Sequence, residues 1–147
     1  SSAASDVYKR QVYYEPVTHM EGVMEKYIPG DYEYDLPKQM LSLYDKKDYG
    51  KYADKNGKLP VNFIATNHTT GGNSGSPALN AKGELIGLNF DRVWEGTMSD
   101  LNYDPEICRN IMVDSRYILW VVDKYANAQR LIDEMTIVDE SKNAKKK

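Results

Sequence analysis

The run Gly71-Gly72-Asn73-Ser74-Gly75-Ser76-Pro77 holds the residue types that nucleophilic acyl transfer needs. A serine nucleophile must stand on a tight turn whose backbone N–H groups converge on the oxyanion that develops during attack. Flanking glycines permit such a turn and leave room for the carbonyl under attack. In this run the N–H groups of the serine and of the glycine two before it, Ser74 and Gly72, are the pair that would form the oxyanion hole. Gly, Ser and Asn also cluster in plain turns. The position of this cluster, between a β-type run and a hairpin, favours the catalytic reading. A serine is a weak nucleophile without a base, and the chain has only two histidines, His19 and His68.

Other chemistry-bearing residues carry less. Asp100, Asp104 and Glu106 have spacing that fits no calcium loop and read as a solvated acidic loop. The one cysteine, Cys108, excludes an internal disulfide, argues against a cysteine-based metal site, and reads as a buried small hydrophobe. No metal and no cofactor is expected. Trp94 and Tyr103, on a long loop, suit either a wall of a cleft or burial in the core.

The elements that must position Ser74 follow from periodicity. Residues 61–66 are a short β-type run, and residues 77–80 and 84–90 flank a turn at Ala81-Lys82-Gly83, which reads as a β-hairpin. Residues 91–107 form a long loop, 110–113 add a strand, and Asp114 is a helix N-cap. Ile118, Val121, Val122, Tyr125, Ile132 and Met135 recur at helical spacing, predicting one amphipathic helix that ends near Met135. Upstream, residues 22–27 and 37–45 show helical spacing, with Leu36, Met40, Leu43 and Tyr44 on one face and Pro37 suited to a first turn. The expected organisation is a non-native leader at 1–11, a linking or accessory segment at 12–60, strands plus a closing helix at 61–138, and a polar tail at 139–147.

Composition narrows the function. At 147 residues the chain has the size of one domain, and 41% hydrophobic with 28% charged residues argues against wholesale disorder. A net charge of −3 argues against a general nucleic-acid binder. No apolar stretch approaches the ~20 residues that span a bilayer.

Beyond the serine motif, two longer stretches carry a resemblance. The stretches Thr66-Asn67-His68-Thr69-Thr70 through Pro77 and Gly83-Glu84-Leu85-Ile86-Gly87-Leu88-Asn89-Phe90-Asp91-Arg92-Val93-Trp94-Glu95-Gly96 are followed by Arg109-Asn110-Ile111-Met112-Val113-Asp114-Ser115-Arg116-Tyr117-Ile118-Leu119-Trp120. Together they resemble the bacterial dipeptidyl-peptidase 7/11 family of serine peptidases. The resemblance spans about Tyr13 to Val138 and is specific after Pro60. It implies a mainly β fold with helices, the C-terminal half of a chymotrypsin-like double β-barrel, closed by the amphipathic C-terminal helix and preceded by a partly helical lead-in. It implies exopeptidases of the periplasm or cell envelope of Gram-negative bacteria, which release dipeptides from peptides with a free N-terminus, in a parent enzyme expected to be a homodimer.

Carried over, Ser74 is the nucleophile, and Gly72 with Ser74 supplies the oxyanion hole. Asp91 matches the carboxylate that binds the substrate α-ammonium, together with the Phe90 carbonyl. Arg92 stands where members preferring Asp or Glu before the cut carry arginine and members preferring bulky apolar residues carry glycine. A guanidinium there would pair bidentately with the substrate carboxylate. Two departures accompany the match. The family's catalytic histidine and aspartate come from an N-terminal barrel that this chain lacks, and His68, six residues before Ser74, has the offset of a pocket-lining residue. Asn73 replaces the aspartate of animal trypsins, so activation by a buried new N-terminus is not expected. A glutamyl-specific endopeptidase and a non-catalytic binding domain are the rival readings.

Overall fold

The computed structural model describes residues 15–138; the leader expected at 1–11 and the tail expected at 139–147 lie outside them. A short strand, Val17–His19 (β1), runs directly into a helix, Met20–Glu25 (α1). A second helix, Lys38–Asp45 (α2), opens at Pro37, whose φ of −59° suits a helix start. Both helices lie within a few residues of their expected positions. Met40 on α2 is buried, and Leu36, Leu43 and Tyr44 pack against the same core, as the spacing predicts.

After a 3₁₀ turn at Gly50–Tyr52 come the strands Pro60–Ala65 (β2), Pro77–Leu79 (β3), Leu85–Arg92 (β4) and Asn110–Asp114 (β5). The hairpin of β3 and β4 is closed by Asn80, whose side-chain oxygen accepts from the N–H groups of Lys82 (2.9 Å) and Glu84 (3.0 Å). β5 buries Asn110, Met112 and Asp114 on one face, with the intervening residues half-buried on the other, the alternation of a strand covered on both sides. The five strands form one antiparallel sheet in the order β1-β2-β5-β4-β3. Among the described residues it is open, with β1 and β3 at its edges. Gly87 on β4 lets this sheet close up: a Cβ there would stand 2.5 Å from the Val113 carbonyl oxygen and 2.8 Å from the Phe63 ring.

Asp114 ends β5 and caps the helix Ser115–Trp120 (α3), accepting from the Arg116 N–H at 2.8 Å. The single long helix expected from there to Met135 is not what forms. α3 widens into a π turn at Val121–Tyr125, breaks, and a short helix, Gln129–Asp133 (α4), follows. The break sits at Asn127, with φ +50°; asparagine is among the few residues that adopt this left-handed conformation at low cost. The burial also differs. Trp120, outside the expected stripe, is fully buried, whereas Met135 at its end is 48% exposed.

The core lies between the sheet and these helices and comprises Met20, Met40, Tyr49, Tyr52, Leu59, Val61 and Trp120. Five of these seven come from the 12–60 segment, so the stretch expected to link is also one that packs. The Trp120 indole N–H donates to the Asp48 carbonyl at 2.9 Å, which satisfies the one polar atom that the ring buries. Burial pushes the Tyr49 hydroxyl up to about 12. Burial also raises Tyr52, whose hydroxyl donates to Asp123 Oδ2 at 2.8 Å, and it raises Tyr117. All three are therefore held protonated in the fold at a pH where the unfolded chain has released them. Stability is expected to fall as pH rises above the ordinary tyrosine value of 10. Urea unfolding at pH 8 and 10.5 checks this: the midpoint should drop, Tyr52→Phe should flatten that drop, and an unchanged midpoint would contradict it.

Candidate active site

Ser74 stands in the loop between β2 and β3, and asparagines build that loop. Asn73 Oδ1 accepts from the Thr70 N–H at 2.7 Å, while the Asn73 N–H returns to the Thr70 carbonyl at 3.2 Å. Gly72 and Gly75 take φ of +96° and +85°, a region that glycine enters without strain. The loop is then tied to β4. The Gly75 N–H donates to the Asn89 carbonyl (2.7 Å), and the Asn89 N–H to the Ser76 carbonyl (2.9 Å). The Asn89 side-chain amide donates to the Asn73 carbonyl at 3.2 Å and accepts from the Asn110 amide at 3.0 Å. Asn89 and Asn110 are 6% and 1% exposed, so this is a buried polar relay from β5 through β4 to the Ser74 turn. The N–H groups of Gly72 and Ser74 donate to no acceptor among the described residues.

A β-bulge presents the neighbouring residues. Asn89 faces Met112 and Asp91 faces Ile111, which leaves Phe90 as the extra residue on β4. Its carbonyl accepts the Ser74 hydroxyl at 3.3 Å. Ser74, Phe90, Asp91 and Arg92 all line one open cleft of about 130 Å³, walled on the other side by Thr69, Thr70 and Gly71. Four of the five residues singled out from the sequence thus share a cleft. The fifth, Gly72, sits in the Ser74 turn beside it.

Arg92 is not free in that cleft. Its Nη1 and Nη2 donate to Asp100 Oδ1 (2.8 Å) and Oδ2 (2.7 Å), and Nη1 also donates to Ser99 Oγ (2.6 Å). Asp100 is exposed, as a solvated acidic loop requires, but its carboxylate is engaged by Arg92 rather than left to water alone. The cause is the 3₁₀ segment Trp94–Asp100, which folds the loop back along the end of β4. The hydrogen bonds from Arg92 hold the Asp100 carboxyl below its ordinary range, and those to Asp100 raise Arg92, so both remain charged at neutral pH.

The two histidines lie elsewhere. His68 is exposed, its ring tilted on Tyr103 with centroids 4.7 Å apart, and the Tyr103 hydroxyl donates to the Thr66 carbonyl. His19 is half-buried, with Nε2 3.3 Å from Asp54 Oδ2. It lies on β1, three strand steps from β4, or about 14 Å at ordinary strand spacing. Neither imidazole hydrogen-bonds Ser74 among the described residues. Trp94 is 82% exposed and Cys108 is 4% exposed, the latter as expected of a small hydrophobe. Among the described residues no three His, Cys, Asp or Glu side chains group to hold a metal, and no helix is long and apolar enough to cross a membrane.

The family model described as Peptidase S46 matches residues 5–137. The chain belongs to the peptidase S46 family. It is 66% identical over 134 residues to the Asp/Glu-specific dipeptidyl-peptidase of Flavobacterium psychrophilum, covering 91% of this chain and 19% of that relative. It is 48% identical over 130 residues to the dipeptidyl-peptidase 7 of Capnocytophaga gingivalis, covering 88% and 18%. The crystal structure of Porphyromonas endodontalis DPP11 in complex with the dipeptide Arg-Asp superposes with a TM-score of 0.82 at 54% identity, over 86% of this chain and 18% of that one. The chain therefore spans less than a fifth of the curated relatives it matches.

Sequence reasoning missed the residues that hold this S46 site together. Asn89 and Asn110 were legible only as polar residues inside strand-like runs, a pattern that marks a buried hydrogen-bonded side chain. Thr70 and Asn73 have the three-residue spacing of a side-chain-closed turn. Ser99 carried no sequence signal and Asp100 stood out only as an acidic loop residue, because their pairing with Arg92 depends on how the loop folds. Asn89→Ala should strand the buried Asn110 amide, at about 1–3 kcal/mol, and leave the Asn73 carbonyl with the Ser76 N–H alone. In a parent-length protein it is expected to cut kcat at least tenfold, as read on any dipeptide substrate, while unchanged turnover would show that the relay does not position Ser74.

Proposed function

We propose that this chain is the nucleophile-bearing part of a serine-type dipeptidyl-peptidase that prefers Asp or Glu as the second residue. The observation that carries the reading is the single cleft in which Ser74, Asp91 and Arg92 meet. Ser74 Oγ attacks the carbonyl after the second residue. The oxyanion that forms is held by the two unengaged N–H groups of Gly72 and Ser74. The Asp91 carboxylate, with the Phe90 carbonyl, receives the α-ammonium. That anchor leaves room for two residues, roughly 7 Å of extended chain, before the bond to be cut. Arg92 receives the acidic side chain.

Attack also requires the Ser74 hydroxyl to leave the Phe90 carbonyl and donate to an imidazole. Histidine and its orienting carboxylate would come from the part of the parent that the relatives possess beyond this chain. The reading therefore expects no measurable hydrolysis from these 147 residues alone. The five-stranded sheet is assigned to the C-terminal barrel of a chymotrypsin-like pair, with the remainder covering the edge where Leu79 and Leu85 are more than half exposed. Likeness to the family supports placing the parent in the periplasm or cell envelope as a homodimer.

The test is hydrolysis of a fluorogenic dipeptide ending in Asp by a parent-length protein, with the substrate N-terminus free or acetylated. Loss of cleavage on acetylation fits an exopeptidase anchored at Asp91. Equal cleavage of both would make it an endopeptidase. No cleavage of either would leave a binding domain.

A further inference from the structure

A guanidinium has five N–H donors, and the structure accounts for three of them at Arg92. The inner N–H groups of Nη1 and Nη2 go to the two oxygens of Asp100, and the outer one of Nη1 goes to Ser99. Nε–H and the outer N–H of Nη2 have no acceptor among the described residues. Those two lie parallel along one edge of the guanidinium plane, the edge that receives a carboxylate through two N–H···O bonds. Arg92 also lines both the open cleft with Ser74 and the narrow space behind it, where it meets Ser99 and Asn110. That narrow space is only about 10 Å³, room for no more than a water, so a substrate side chain has to meet Arg92 from the open cleft.

We propose that Asp100 is a positioning residue for acidic-substrate recognition, clamping Arg92 by its far edge so that the remaining bidentate edge is free for the substrate carboxylate. The inference rests on the dipeptidyl-peptidase reading above and deepens it. An unclamped arginine of four rotatable side-chain bonds would spend most of its time in other rotamers, and ordering it would be charged against substrate binding. Asp100 orders it beforehand. Its carboxylate also neutralises the guanidinium while the cleft is empty, which tempers attraction for stray anions. Two acids then share one arginine without facing each other, because they occupy different edges of the same plane.

The experiment uses a parent-length protein carrying Asp100→Ala, Asp100→Asn or Arg92→Gly, beside the unaltered chain, on fluorogenic dipeptides ending in Asp, Glu and Leu. For Asp100→Ala, kcat/KM on the acidic substrates is expected to fall at least tenfold, mainly through KM. On the Leu substrate it should stay within twofold, and so should the rate at which an aryl phosphonate labels Ser74. Asp100→Asn keeps the shape and one acceptor, so it should lie between the two, and it decides the matter if the alanine variant does not fold. An unchanged acid preference, a parallel fall on all substrates, or tighter binding of the acidic ones would overturn the proposal; the last would make Asp100 a competitor of the substrate. If the unaltered protein has no acid preference, or Arg92→Gly keeps it, the dipeptidyl-peptidase reading of Arg92 fails first.

Discussion

In a parent-length protein, Arg92→Gly is expected to reverse substrate preference. Each hydrogen bond to a charged partner contributes about 1.5–3 kcal/mol, so removing a bidentate pair should lower kcat/KM on Asp-ended dipeptides by roughly 100-fold or more. The Leu-ended dipeptide should gain, because an apolar side chain no longer leaves a guanidinium edge desolvated and unpaired. The fold should tolerate the change. Arg92 closes the last register position of β4 opposite Asn110, where glycine costs at most about 1 kcal/mol. Asp100 is half exposed, with 49% of its side chain accessible, and water takes over its hydrogen bonds. Parallel kcat/KM measurements on the two substrates read the result. A variant that still prefers Asp would show that Arg92 serves only to hold the loop.

The second large effect is expected at Ser74. Ser74→Ala should reduce kcat by roughly 10⁴-fold or more, since without the oxygen no acyl-enzyme forms and only the oxyanion hole and substrate binding remain. Stability should barely move, because Ser74 is exposed and makes one side-chain hydrogen bond, the 3.3 Å contact with the Phe90 carbonyl. Affinity for an Asp-ended dipeptide should survive, because Asp91 and Arg92 are untouched. Stopped assays with calorimetric binding separate these quantities. Residual turnover within tenfold would place the nucleophile elsewhere.

The local elements were legible because their causes are local. Pro37 starts α2, Asn80 and Gly83 turn the hairpin, and Asp114 caps α3, each through its own backbone preference or a side-chain bond within a few residues. The C-terminal helix was misjudged for the opposite reason. Apolar spacing continued past Asn127, but the chain can turn there into the left-handed region, and burial is claimed by Trp120, which shares one core with Met20, Met40 and Tyr52 and meets the Tyr49 ring, all from distant sequence. Pairings of that kind depend on tertiary packing. So it was at the site. The Ser74 turn announces itself in seven consecutive residues, and the structure gathers Phe90, Asp91 and Arg92 beside it. The Asn110–Asn89–Asn73 relay and the Asp100 clamp bridge separate strands and a loop, where no spacing rule reaches.

The most direct measurement is kcat/KM for fluorogenic dipeptides ending in Asp and in Leu, compared side by side on a parent-length protein. A preference for Asp of tenfold or more, abolished by Arg92→Gly and by acetylating the substrate N-terminus, is the predicted result. Equal turnover of the two substrates, or a preference for Leu, would contradict the assignment of Arg92 as the acid-recognising residue of this cleft.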